Sequence, residues 1–189
     1  MSQILFRHLH PIRNCQKTFV SYRSYKKYLA ADFNGRCGYT DCQDKWFGGI
    51  SNFHIDHFVP HTLDPSLKTN YSNLVYACSY VNILKSNDDP KNYLDPCLND
   101  YNQHFFRNRT GTIFPIPQSP QAVYMHKKLK LGLARYQVIW LLEKFDDALE
   151  QLEKLVDQLP EGSDQEVKIK DLYFELSRES RHHFKYLTK

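Results

Sequence analysis

Asp56 and His57 stand side by side near the end of an apolar run (Phe53, Ile55, Phe58, Val59) that Pro60 stops. Asn73 follows, just before Leu74 and Val75, and then come Asn82 and Lys85. A carboxylate and an amide carbonyl are hard oxygen ligands, suited to Mg²⁺ or a similar divalent ion that keeps several waters. A neutral imidazole can deprotonate a water near pH 7. Asn82 and Lys85, at i and i+3, share one helix face. A divalent ion, an imidazole and a cation converging on one spot are what phosphodiester hydrolysis requires. The ion stabilises charge on the phosphorane and the departing oxygen, and the base activates the attacking water. Taken singly, each element is commonplace. An Asp-His pair at a strand end is usually a turn feature, Asn73 serves equally as a turn residue or cap, and Asn82 with Lys85 reads as a solvated helix face. Order and spacing together carry the chemical reading.

Those residues need elements to hold them. Residues 53–59 read as a strand, 74–77 as a second short strand, and 79–86 as a short helix before Asp88, Asp89 and Pro90. Upstream, Tyr22, Tyr25, Lys26 and Leu29 recur at helical spacing over residues 21–33, and Asn34 with Gly35 ends that helix. Tyr22, Tyr25 and Tyr28, close to Lys26 and Lys27, read as half core and half rim of a channel. Gly111 marks a hairpin turn between Phe105-Phe106 and Ile113-Phe114. The proline-rich stretch at 114–120 is a candidate boundary, giving domains over 1–118 and 119–189.

Beyond that boundary, Val138, Leu142, Phe145, Leu149, Leu152, Val156 and Leu159 form an apolar seam stepping alternately by four and three. Pro160 to Ser163 breaks the helix and starts another, with Ile169, Leu172, Leu176, His183 and Leu187 on roughly one face. The expected result is an antiparallel helical hairpin, with partner docking on the seam as the alternative. The chain as a whole is therefore expected to be α+β.

The central arrangement resembles the HNH endonucleases. Their ββα-metal core places a first strand ending in Asp-His, a loop with an Asn, a second short strand, and a helix carrying a last Asn or His. The resemblance covers about residues 35–87 and implies such a core, preceded by a helix and followed by the C-terminal hairpin. It implies His57 as general base, Asp56 and Asn82 as metal ligands with His54 close to the metal, and Asn73 as the Asn that braces the loop near the base. Lys85 matches the Lys that commonly follows the last Asn and is counted with the catalytic group. The implied activity is hydrolysis of DNA phosphodiesters with one divalent ion, Mg²⁺ or Mn²⁺. The helical tail, with Leu129, Lys130, Leu131, Gly132, Leu133 and Arg135, is similar to HNH proteins of bacterial anti-phage and retron-type systems. That similarity implies the nuclease effector of a defence system. Two alternatives stand beside it: a subunit silent alone and switched on by a partner such as an ATPase docked on the C-terminal helices, and a silent nucleic-acid-binding module of the same fold, against which the presence of Asp56, His57, Asn73 and Asn82 together speaks.

The cysteines depart from the family's two Cys-x-x-Cys pairs around a structural zinc. Cys37 and Cys42 are separated by four residues, and Cys78 is followed by Ser79, Tyr80 and Val81 rather than by a second cysteine. Three thiolates leave a tetrahedral site unfilled. Cys97 or a nearby histidine is a candidate fourth ligand, though the spacing requires neither. Buried free thiols packed with Tyr39, Trp46 and Tyr80 are the favoured expectation, and zinc the disfavoured one. Among the histidines, His61 is a candidate neighbour of the site but is favoured as a plain surface residue, and His8, His10, His104, His126, His182 and His183 are expected at the surface.

Composition sets the bounds. A mean hydropathy of −0.61 suits a soluble chain, and no apolar run is long enough for a membrane span or an export signal. Five scattered cysteines point to reduced thiols and a cytoplasmic location. With 7 glycines and no Gly-rich phosphate loop, the common nucleotide-binding folds are excluded. Residues 1–118 carry 13 basic and 9 acidic side chains, whereas 119–189 carry 12 of each. The positive excess of +4 therefore lies wholly in the part that holds the Asp-His pair, as a nucleic-acid partner would favour.

Overall fold

The computed structural model describes residues 3–187 and is α+β, with two small antiparallel sheets and a long helical pair. The chain divides into two compact units, one ending at Leu133 and the other beginning at Ala134.

In the first unit, β1 (Ile4–Leu5) leads to a 3₁₀ turn (Tyr22–Tyr25) that runs into α1 (Lys26–Asp32). Tyr25 and Leu29, four apart, are its buried face, as the spacing predicts. Asn34 and Gly35 take positive φ, and the Gly35 N–H returns to the Ala30 carbonyl, which closes the helix. Then β2 (Phe53–His57) pairs antiparallel with β3 (Leu74–Cys78), with His54 opposite Ala77 and Asp56 opposite Val75. All five residues of β3 are buried, so it reads as a continuous apolar run rather than an alternation. Helix α2 (Ser79–Lys85) follows without a break and stops where Ser86 takes positive φ. The predicted strand 53–59 is thus two residues shorter, because Phe58 and Val59 turn to bond Asn73 instead of the sheet.

The hairpin around Gly111 forms as expected, from β4 (Phe105–Arg107) and β5 (Ile113–Pro115). Strand β1 adds to its outer edge, giving the order β1-β4-β5. Just after β1, Phe6 packs on Tyr101 and Phe105, and this apolar centre encloses two guanidinium groups. Arg107 donates to the carbonyls of Phe6, Gly111 and Thr40, and Arg7 donates to that of Gly38. Carbonyls make the buried Arg107 tolerable, whereas Arg7 Nε has no hydrogen-bond partner among the described residues and its guanidinium lies over the Phe6 and Tyr101 rings. Here the two arginines clamp the backbone on either side of Tyr39.

Gly38 sits in that clamp against α1 and β3. A Cβ there would lie 2.8 Å from both Phe33 Cε1 and Val75 Cγ1. Gly38→Ala is expected to destabilise the first unit by about 1–3 kcal/mol through overpacking, read as a lower denaturant midpoint.

The boundary expected at 118/119 moves to 133/134. Ser119 caps a helix the proline-rich reading did not anticipate, α3 (Pro120–Lys128), with Pro120 at its first position. Its Ala122 and Met125 are buried, Met125 Sδ accepts from the Leu94 N–H, and His126 bonds the Ile113 carbonyl. Burial of Leu129 and Leu131 continues that attachment. His104 and His126, expected at the surface, are half-buried, and His104 bonds Ser119.

The second unit is α4 (Ala134–Val156) and α5 (Asp164–Leu187), packed as an antiparallel pair. Phe145 of the apolar seam stacks on His183, and Tyr173 bonds Glu153. Val138 and Leu142 are buried, while α4 ends at Val156, so Leu159 lies beyond the helix. Ser163 caps α5: its hydroxyl accepts from Glu166 N–H, and the Glu166 carboxylate accepts from the Gly162 N–H just outside the helix. Leu172, expected on the packed face, is 44% exposed, and Tyr173 takes its place. No described helix is long and apolar enough to cross a membrane.

Candidate active site

Side chains alternate along a strand, so Asp56 and His57 leave β2 on opposite faces. Their surroundings differ accordingly. His57 is half-buried at the strand end, with Nε2 2.9 Å from the Lys68 carbonyl. A carbonyl only accepts, so Nε2 carries the proton and Nδ1 keeps the lone pair. The ring meets Tyr22 edge-on at 4.8 Å between centroids and lies 5.0 Å from His61. Burial pushes the His57 pKa below its ordinary value, against the opposing pull of the Lys68 hydrogen bond. The imidazole is therefore neutral at pH 7, with its free nitrogen basic.

Asn73 holds the segment that follows His57. Its Oδ1 accepts from Val59 N–H at 2.8 Å, and its Nδ2 donates to the carbonyls of Val59 and Leu67. These bonds hold backbone on both sides of the loop rather than a reacting group.

Asp56 points inward and is 4% exposed. Tyr39 donates its hydroxyl to Oδ2 at 2.6 Å, and Lys85 Nζ lies 3.2 Å from both carboxylate oxygens. Burial pushes the Asp56 carboxyl above its usual range, partly offset by the Lys85 ammonium and the Tyr39 hydrogen bond. Lys85 is fully buried and also donates to the His57 carbonyl at 2.9 Å, with the Phe58 and Tyr93 rings around its ammonium. Counted in the sequence with the catalytic residues, Lys85 instead occupies a structural position: it ties α2 to the end of β2 from below. Tyr39 was not anticipated, since nothing around Cys37 and Cys42 marks a tyrosine as the partner of a carboxylate 17 residues on.

His54 and Asn82 meet at the surface, with His54 Nδ1 3.2 Å from Asn82 Nδ2. The amide nitrogen faces the ring nitrogen, so the atoms left for a divalent ion are the Asn82 carbonyl oxygen and the other His54 nitrogen, and imidazole is a poorer ligand than oxygen for Mg²⁺. The Asp56 oxygens keep spare lone pairs, but an ion reaching them would stand beside the Lys85 ammonium. The described residues include no group of three His, Cys, Asp or Glu side chains placed to share one ion. An ion here would rest on His54 and Asn82, whereas Asp56, implied as its ligand by the resemblance, is buried and bonded to Tyr39 and Lys85.

The His54–Asn82 pair opens into a groove of about 470 Å³ lined by Tyr22, Arg23, Lys26, Phe53, His54, Ile55 and Asn82. Of the tyrosines expected along a channel, Tyr25 is buried, and Tyr22 and Tyr28 are half-buried. Arg23 is exposed, a cation that the charge pattern alone does not single out.

Cys37, Cys42 and Cys78 are buried, and Cys78 N–H donates to Cys37 Sγ at 3.4 Å. Burial pushes the Cys37 thiol up, but hydrogen bonds from Cys78, Thr40 and backbone amides outweigh it and hold the pKa at about 6. The bond to Cys37, with burial, pushes Cys78 well up. Cys97 is half-buried in another setting, its N–H on Asp95 and its carbonyl on His10. Of the aromatic residues expected around the thiols, Tyr39 is buried and Trp46 half-buried, but Tyr80 is 44% exposed.

No protein-family model, curated protein or solved structure matches the chain.

Proposed function

We propose that the chain is a metal-dependent endonuclease of the HNH kind, hydrolysing phosphodiester bonds of DNA with His57 as general base. The observation that carries this reading is the state of His57 at the end of β2. Its Nε2 is committed to the Lys68 carbonyl, its Nδ1 is left basic, and the strand–strand–helix unit that holds it also brings Asn82 against His54. In the reaction, Nδ1 takes a proton from a water as its oxygen attacks phosphorus. The bond from phosphorus to the departing oxygen breaks, and that oxygen leaves with a proton from solvent. His54 and Asn82 would hold a divalent ion, which would supply charge stabilisation at the phosphate when bound. Asn73 holds the loop beside the base, and Lys85 with Tyr39 fixes Asp56 and the strand end.

The test is cleavage of supercoiled, linear and single-stranded DNA across Mg²⁺ and Mn²⁺ concentrations, with chelator as control. Cleavage that depends on the ion supports the reading; none with any ion or substrate refutes it. Asn82→Ala is expected to shift the Mg²⁺ titration to higher concentration with the fold intact. An unchanged titration curve would remove Asn82 from the ion's ligands.

A further inference from the structure

The groove beside His54 and Asn82 has a second wall that the hydrolytic chemistry does not use. It consists of Tyr22, Arg23 and Lys26, from the 3₁₀ turn and the start of α1. Arg23 is exposed, and Lys26 is half-buried with its ammonium 3.0 Å from the Ser51 carbonyl, which fixes where that charge stands. No carboxylate is among the residues lining the groove, so its charged side chains are both positive. Tyr22 joins this wall to the base, since its ring touches the His57 imidazole at 4.8 Å. The groove's size lies in the range of about 300–1,000 Å³ typical of sites that bind small molecules, and it is open to solvent rather than enclosed. That combination suits one unit of a continuing polyanion.

Resting on the nuclease reading, we infer that Arg23 and Lys26 form a phosphate grip for the strand being cut, engaging a backbone phosphate next to the scissile one. The guanidinium offers paired N–H donors that match phosphate oxygens, and the ammonium adds a compact point charge. Both contacts position the backbone and read no base, so they raise affinity for every sequence alike. Tyr22 sets the distance between grip and base by packing on the ring that does the chemistry. Arg23 and Lys26 touch substrate without exchanging a proton with it.

The experiment measures binding of a fluorescein-labelled DNA duplex to the full chain without added divalent ion, over a range of NaCl concentrations, and cleavage with Mg²⁺. It compares wild type, Arg23→Gln/Lys26→Gln, and the charge-keeping Arg23→Lys/Lys26→Arg. Loss of two phosphate contacts should make the salt dependence of log K shallower by about 2, roughly one unit per cation. KM should rise while kcat at saturating DNA stays within about threefold, since the lost contacts are uniform binding. The charge-keeping variant should retain most of the wild-type slope, which separates charge from misfolding. If wild type binds and cuts but the glutamine variant matches it in affinity and slope, the grip is wrong and the nuclease reading stands. If wild type binds without cutting and the glutamine variant binds more weakly, Arg23 and Lys26 hold backbone phosphate but no scissile one, and the nuclease reading falls. If wild type neither binds nor cuts, both are overturned.

Discussion

Lys85→Ala is expected to destabilise the first unit by about 3–5 kcal/mol, the usual effect of removing one partner from a buried ion pair. The ammonium is fully buried and satisfies both oxygens of Asp56, and it also holds the His57 carbonyl. Without it, a carboxylate that burial already pushes upward loses its counterion and moves further up. The pH dependence follows from that sign. A carboxyl whose folded pKa is raised contributes stability below its unfolded pKa and loses it as pH rises through the folded value. The alanine variant should therefore lose more stability than wild type between about pH 4 and 7. Urea unfolding at both ends of that range measures it. Asp56→Leu/Lys85→Met should recover most of the loss, because an apolar pair of similar volume replaces the charges together. If Lys85→Ala unfolds at the wild-type midpoint, the pair does not support the strand end. The same measurement bears on mechanism: a lysine acting on substrate would change cleavage and leave unfolding alone.

His57→Ala should show the opposite pattern. Removing a positioned general base is expected to lower the cleavage rate by about 10²–10⁴-fold. Stability should fall by only about 1 kcal/mol, the net worth of the single hydrogen bond to the Lys68 carbonyl. DNA affinity should stay close to wild type, because His57 is not among the residues lining the groove that holds Arg23 and Lys26. Rates from plasmid nicking, set beside the unfolding midpoint and duplex affinity, separate these quantities. Cleavage at the wild-type rate would eliminate His57 as the base. Across the two substitutions, Lys85 governs stability and His57 governs rate, although both residues touch the end of β2.

Much of the site could be read from residue order. Pro60, the apolar run over 53–59 and the buried run at 74–78 specify two short strands, and Asn82 with Lys85 specifies one helix face. Local propensity and turn chemistry are enough for that, since each element needs only its own residues and their immediate neighbours. The hairpin at Gly111, the close of α1 at Asn34 and Gly35, and the paired C-terminal helices are legible on the same grounds. Helix α3 is not legible in the sequence because Pro115, Pro117, Ser119 and Pro120 together spell a loop, until Ser119 is seen capping and Pro120 opening a helix. Strand β1 was missed because two residues carry no period, and only β4 makes them a strand.

What the residues determined by themselves is the inventory of the site: an imidazole, a carboxylate, two asparagines and a lysine, carried on strand, strand and helix. Which of these face solvent was decided by the tertiary structure. Strand alternation places Asp56 and His57 on opposite sides, but only the packing of distant segments says which side is closed. Arg7 and Arg107 clamp the backbone around Tyr39, Tyr39 covers Asp56, and Lys85 rises beneath it, so the carboxylate is buried and the lysine becomes a brace. On the outer side Tyr22 and the Lys68 carbonyl hold His57 with one nitrogen free. Burial, and with it the protonation state and accessibility of each group, depends on contacts between residues far apart in the chain, which spacing along the chain does not encode.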